Sequence, residues 1–166
     1  MGVVEILGAA IWFILPAYVA NATPVVFGGG RPIDGGRKFS DGRSVFGPGK
    51  TIRGFLVGLI AGSVFGVIQG LATGNCTLGA VGFLLSLGAL VGDLFGSFVK
   101  RRLNVPRGGA APVLDQLGFA IFAIILASPL TFPGWAVTAT VLIITIPIHL
   151  ATNLGGYLLK LKDRPY

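Results

Sequence analysis

Residues 78–102 read LGAVGFLLSLGALVGDLFGSFVKRR. From Leu78 to Val99 this is an apolar run about as long as the roughly 20 residues that carry a helix across a bilayer, and it ends on Lys100, Arg101 and Arg102. One carboxylate, Asp93, stands inside it, and a second, Asp115, stands at the edge of the next apolar stretch. An ionised carboxylate in hydrocarbon costs on the order of 3 kcal/mol or more, so such residues mark functional sites by default.

Working outward, four further stretches have similar character: Glu5 to Ala22, Ile52 to Thr73, Pro112 to Ser128 and Gly134 to Leu159. The mean hydropathy of +0.83, with 13 basic and 6 acidic side chains in 166 residues, does not describe a water-soluble domain. The expectation is an all-α polytopic membrane protein of five transmembrane helices, forming one integral-membrane domain over residues 1–166. The basic residues test that number. Arg31, Arg37, Lys38, Arg43, Lys50 and Arg53 surround the first connection, Lys100, Arg101, Arg102 and Arg107 fill the third, and Lys160, Lys162 and Arg164 form the tail. Five helices put all of them on one side, opposite the neutral turns 74–77 and 129–133, which predicts an outside N-terminus and a cytoplasmic C-terminus in the cell membrane. A cleavable leader fits the first stretch poorly, because Glu5 stands where a basic segment is expected. Nucleic acid is excluded as a partner, since the charge lies in three short segments beside the membrane, suited to anionic lipid and phosphate substrates.

Helix 2 carries glycine at 54, 58, 62, 66 and 70, and helix 3 at 88, 92 and 96. Such stripes let helix backbones approach closely in lipid; the alternative is a smooth groove for a lipid chain. Pro16 and Pro147 are expected to kink helices 1 and 5. The connection from Thr23 to Thr51 is dense in glycine and basic residues, with Gly29, Gly30, Arg31, Asp34, Lys38, Arg43 and Lys50 as candidate substrate-binding residues and Arg53 just beyond it. Glycine amides that converge on an anion, assisted by Lys and Arg, make a phosphate-binding loop. It is not a Walker A motif: Ser44 stands where the first glycine is required, and no strand precedes it.

Asp93, Ser97 and Lys100, spaced four and three, share one face of helix 3. A turn through Arg107, Gly108 and Gly109 makes helices 3 and 4 antiparallel neighbours and brings Asp115 to the same end of one crevice. Two carboxylates together with substrate phosphates suit Mg²⁺, a hard cation that keeps several waters and rarely has an all-protein cage. The plainer reading is charge pairing, Asp93 with Lys100 or Asp115 with Arg107. The single histidine, His149, is read as a packed or hydrogen-bonded residue, and the single cysteine, Cys76, lies in an outer turn. Nucleophilic triads and zinc sites therefore lack residues. One reaction needs little more than metal, positive charge and positioning: transfer of a nucleotidyl group to a phosphate monoester, whose attacking oxygen is already ionised near neutral pH.

These residues also carry a resemblance. Gly92-Asp93 with Lys100-Arg101 and the later Asp115 resembles the C-terminal signature of CDP-diacylglycerol synthases. Pro16 to Asn21, Gly29-Gly30-Arg31-Pro32-Ile33-Asp34, Asp41-Gly42-Arg43 and Gly47-Pro48-Gly49-Lys50-Thr51-Ile52-Arg53-Gly54 look like the short archaeal branch of that family, the CDP-archaeol synthases. The chain departs from the longer members at residues 107–112, where Arg107-Gly108-Gly109-Ala110-Ala111-Pro112 stands in place of a histidine-bearing segment. The resemblance implies that CTP reacts with 2,3-bis-O-geranylgeranylglyceryl phosphate, an isoprenoid ether lipid phosphate, to give the CDP-activated lipid and diphosphate with Mg²⁺. It further implies Asp93 and Asp115 as metal ligands, Lys100 and Arg101 as phosphate contacts, and the first loop as part of the CTP site. Two rivals are a CDP-alcohol phosphotransferase, which would need several aspartates on the helix after the loop, and a small anion or lipid carrier, which would spread polar groups through the membrane depth.

Overall fold

The computed structural model describes residues 2–106, 109 and 111–161. It contains five helices: α1 Val3–Phe27, α2 Ile52–Thr73, α3 Thr77–Arg102, α4 Pro112–Ala127 and α5 Trp135–Leu158. Among the described residues, only two isolated antiparallel bridges, Pro32 with Thr51 and Lys38 with Ser44, interrupt the all-helical character. Four helices are long and apolar enough to cross a membrane, and α4 is a shorter apolar helix. Its 16 residues rise about 24 Å, somewhat less than a bilayer core of about 30 Å.

Helix ends follow local chemistry. Thr51 caps α2 by accepting the Gly54 N–H at 3.1 Å, and Gly74, at φ 70°, supplies the left-handed turn that ends it. Pro112 opens α4 at a position where its missing N–H costs nothing. The C-terminal end of α3 carries Lys100, Arg101 and Arg102, charges that suit the negative end of a helix dipole.

The first helix runs further than hydropathy indicates, through Pro24 to Phe27 rather than ending near Ala22. Thr23 and Pro24 look like a helix end, but the proline's lost hydrogen bond is accommodated by packing: its ring lies against the glycines at 54 and 58 of α2. The first connection is correspondingly shorter, from Gly28 to Thr51. Pro16 is handled differently. Its missing N–H leaves the Trp12 carbonyl without a helical partner, and the Gln69 amide of α2 donates to that carbonyl at 2.7 Å.

The glycine stripes are packing surfaces. A Cβ added at Gly66 would lie 2.6 Å from the Gly82 Cα, and one at Gly62 would lie 2.6 Å from the Pro16 carbonyl oxygen. On α3, a Cβ at Gly88 or Gly92 would strike the backbone of α4. The groove reading of these stripes is thereby overturned: the faces are filled by neighbouring backbone, leaving no channel for a lipid chain. These contacts run in opposite directions along each pair, so α1, α2, α3 and α4 are successively antiparallel. The buried core joins Ala10, Ile14 and Ala17 of α1 to Leu85 and Ala89 of α3, Ala120 and Ala123 of α4, and Val141 of α5. Outward faces stay apolar, with Ile60, Leu71, Ile143 and Leu158 exposed, as expected where lipid is the surrounding medium.

Candidate active site

Antiparallel order puts the first loop, the α3–α4 turn and the end of α5 at one end of the bundle. There the sequence's charges form two ion pairs. Lys50, the last loop residue before the α2 cap, donates to Asp93 Oδ2 of α3 at 2.5 Å. Lys100 of α3 donates to both oxygens of Asp115 on α4 at 2.8 and 3.0 Å and to the Gly109 carbonyl at 3.1 Å. Asp115 also accepts the Ala111 N–H at 2.8 Å, so it doubles as a cap for its own helix.

The pairing differs from the plain expectation. Lys100 does not reach Asp93, because seven residues along one helix separate them by about 10 Å; the antiparallel neighbour brings Asp115 opposite it instead. Arg107 lies outside the described residues, as does its expected pairing. Asp93 and Lys50 line a small open cleft with Pro24, Thr51, Gly54 and Phe55. The carboxylate side chains retain 36% and 28% exposure at Asp93 and Asp115, so neither is sealed inside the bundle.

The loop is built around Asp34. Its Oδ2 accepts from the Phe46 and Gly47 amides, each at 3.0 Å, and its Oδ1 from the Gly36 amide at 2.9 Å. Burial pushes the Asp34 carboxyl up, but these backbone donors outweigh it and hold the group below the usual carboxylate range. The glycines at 35, 36 and 47 have φ of 58°, 78° and 95°, conformations that side chains with a Cβ adopt at a cost. The amides of Gly29, Gly35, Gly36, Gly42 and Gly47 bond to acceptors within the loop and its helix cap. Much of what looks like an amide cradle is thus the loop's own scaffold, and charge for an anion comes chiefly from side chains. Gly30 also turns with positive φ. Arg31, Lys38 and Arg53 are exposed and form no ion pair among the described residues.

Arg102 is the residue that reading the sequence alone passes over. It donates to Asp41 Oδ1 and to the Ser44 carbonyl, each at 2.6 Å, and its guanidinium lies 4.7 Å from the Phe39 ring centre and 5.0 Å from that of Phe98. Arg43 returns the contact, donating to the Arg102 carbonyl at 2.5 Å. This clamp ties the 37–45 hairpin to the end of α3, and Arg43 serves it. The available signal was an aromatic, Phe39, within the otherwise polar and glycine-rich run 34–44, and a Phe98–Arg102 pair one helical turn apart. Arg101 lies beside the clamp: its stem approaches Gly47, and its Nε is buried without a hydrogen-bond partner among the described residues.

Among the described residues, no group of three His, Cys, Asp or Glu side chains converges as a metal cage. Asp93 and Asp115 each already face a cation, a lysine ammonium, at hydrogen-bonding distance. That donor set fits a hard cation whose remaining ligands are phosphate oxygens and water.

A family model described as CarS-like, CDP-archaeol synthase, matches residues 3–166. A CDP-archaeol synthase of Methanopyrus kandleri is 51% identical over 164 residues, covering 96% of this chain and 94% of its own. One of Pyrococcus abyssi is 52% identical over 162 residues, covering 95% and 96%. The chain belongs to the CDP-archaeol synthase family. A solved structure described as giving insight into an intramembrane enzyme for archaeal membrane lipids biosynthesis matches with a TM-score of 0.82 and 47% identity, over 87% of this chain and 92% of that one. The resemblance carried by the Gly-Asp, Lys-Arg and first-loop motifs is borne out. Like its CDP-archaeol synthase relatives, this chain is a multi-pass membrane cytidylyltransferase of archaeal lipid synthesis.

Proposed function

We propose that the chain joins CTP to 2,3-bis-O-geranylgeranylglyceryl phosphate at the basic end of the bundle, and that this end faces the cytoplasm of the cell membrane. A phosphate oxygen of the lipid attacks the α-phosphorus of CTP, the bond from that phosphorus to the β-phosphate bridge breaks, and diphosphate leaves. The observation that carries this reading is the pair of carboxylate–lysine contacts, Asp93 with Lys50 and Asp115 with Lys100, at the mouth of one antiparallel helix pair.

Two polyanions must meet here, and their mutual repulsion is the main obstacle. Lys50, Lys100 and Arg101 supply positive charge where phosphates would lie, with Arg31, Lys38, Arg53 and Arg107 drawing nucleotide toward the loop. Arg43 and Asp34 hold the loop in shape. Asp93 and Asp115 would hold Mg²⁺, which when bound offsets charge on the phosphates and on departing diphosphate. No side chain has to remove a proton, since the attacking oxygen is ionised already. The concentration of described basic side chains at one end favours a cytoplasmic site by the positive-inside tendency.

The test uses full-length protein purified in detergent, with CTP, the lipid phosphate and Mg²⁺. Diphosphate release and a CDP-lipid identified by mass spectrometry are expected, and both should stop with EDTA and return with added Mg²⁺. Folded protein that forms no CDP-lipid from any ether or ester lipid phosphate would overturn the reading.

A further inference from the structure

The α4–α5 seam is polar at one end and apolar at the other. α5 packs against α1 and α4 and makes no substantial contact with α2 or α3, which makes it the peripheral helix of the bundle. Its inward face carries Thr145, His149 and Asn153 at steps of four. Thr145 shares a 2.7 Å hydrogen bond with Tyr18 of α1, and the Asn153 amide lies 3.1 Å from His149 Nδ1. The His149 ring centre is 6.3 Å from that of Phe119, which follows Asp115 by one turn of α4. The polar line on α5 therefore runs toward the end of the bundle that holds the Asp115–Lys100 pair.

Further from the basic end the same seam becomes apolar. A cavity of about 250 Å³, open on one side, is lined mainly by apolar side chains, Ile121, Ile125, Trp135 and Leu142 among them, together with Ser128 and Thr138. Ile125 stands ten residues after Asp115, about 15 Å along the helix, or half the thickness of a bilayer core. That is the depth one lipid leaflet occupies. The glycine faces of α2 and α3 are closed by backbone contact, and the Lys50–Asp93 cleft lies under the first loop. The seam is instead open at the outer surface of the bundle.

We propose that this seam is the berth of the lipid substrate: Asn153, His149 and Lys100 receive its phosphate end, and an isoprenoid chain lies against Ile121, Ile125 and Leu142. The charge of the phosphate matches the polar end, which lies toward the basic end of the bundle. The assignment rests on the reaction proposed above and adds the position of its second substrate. CTP enters from the loop side and the lipid from the α5 side, so the two substrates meet between Asp93 and Asp115.

A phosphate lipid carrying a diazirine on its isoprenoid chain tests the berth without turnover, in wild-type protein lacking CTP and metal. Cross-links are expected within 121–125 and 138–142, competed by the unlabelled phosphate lipid and much less by the unphosphorylated diether alcohol. Labelling centred on the outward face of α2, or equal competition by both lipids, would overturn it. Kinetics add a second readout. Leu142→Trp and Asn153→Leu should each raise the lipid KM about fivefold or more while leaving the CTP KM in place; an equal rise in both constants, or no rise in either, counts against the berth. The labelling is read without chemistry, so a failure of the proposed reaction and a failure of the berth are distinguishable.

Discussion

The two lysine–carboxylate pairs look alike and are held in opposite ways. Lys100 and Asp115 sit on consecutive antiparallel helices, with the Ala111 amide and the Gly109 carbonyl completing the network. Lys50 meets Asp93 across 43 residues of sequence, at the end of a loop whose shape depends on Asp34 and on the Arg102 clamp. One pair is set by a helix hairpin, the other by a folded loop resting on the membrane domain. The candidate site thus has a fixed half and a placed half, and substitutions remote from chemistry should disturb only the second.

The largest effects should come from the carboxylates themselves and should not distinguish the halves. Asp93→Asn and Asp115→Asn are each expected to lower turnover by roughly 100-fold or more, the scale seen when a group stabilising transition-state charge is removed. Thermal unfolding in detergent should stay close to wild type. Near wild-type rates from either variant would remove it from the metal-binding set.

The two halves are separated most directly at Arg102. Arg102→Met removes the bonds to Asp41 and Ser44 and the contact with Phe39, yet leaves Lys100 and Asp115 untouched. The CTP KM is expected to rise roughly tenfold, equivalent to about 1.4 kcal/mol, with kcat changed little. Arg102→Lys should recover only part of this, since an ammonium cannot reproduce the planar fork. A loss confined to kcat would show that the clamp does not act through nucleotide binding.

A smaller effect should follow protonation of Asp34. Its folded carboxyl titrates below the ordinary value of 3.8, so its support of the loop is fully present above the ordinary carboxylate range. That support is lost as pH falls through the lowered value. Limited proteolysis by an acid-active protease should therefore find the 34–47 segment protected near pH 5 and cut more readily as pH drops below about 4. Asp34→Asn should be cut readily at both. Equal cutting of wild type at both pH values would deny Asp34 its scaffold role.

The halves also differ in how legible they were. Hydropathy located α2 to α5 to within a residue or so at most ends, and the step of four in glycine correctly implied close packing, because membrane helices advertise length and small faces directly. The Asp93 and Asp115 pair stood out because charge is rare in such a chain. The partner of Asp93 was not legible: nothing local to Lys50 says that a loop will fold back to α3. Arg102 disappeared into a basic run that the positive-inside tendency explained too easily. The extension of α1 through Pro24 was hidden for a related reason, since the glycines that receive the ring lie on another helix.

The contact between Gln69 and the Trp12 carbonyl has a consequence for how this chain tolerates change. Pro16 creates an acceptor and Gln69 satisfies it, so the two behave as a lock and its key. Restoring an N–H at position 16 strands an amide in hydrocarbon, whereas Gln69→Leu alone leaves a carbonyl unanswered. Pro16→Ala with Gln69→Leu removes both at once and should be tolerated better than the second change alone. Drift at these two positions is therefore expected to be joint, with neither site free to vary by itself.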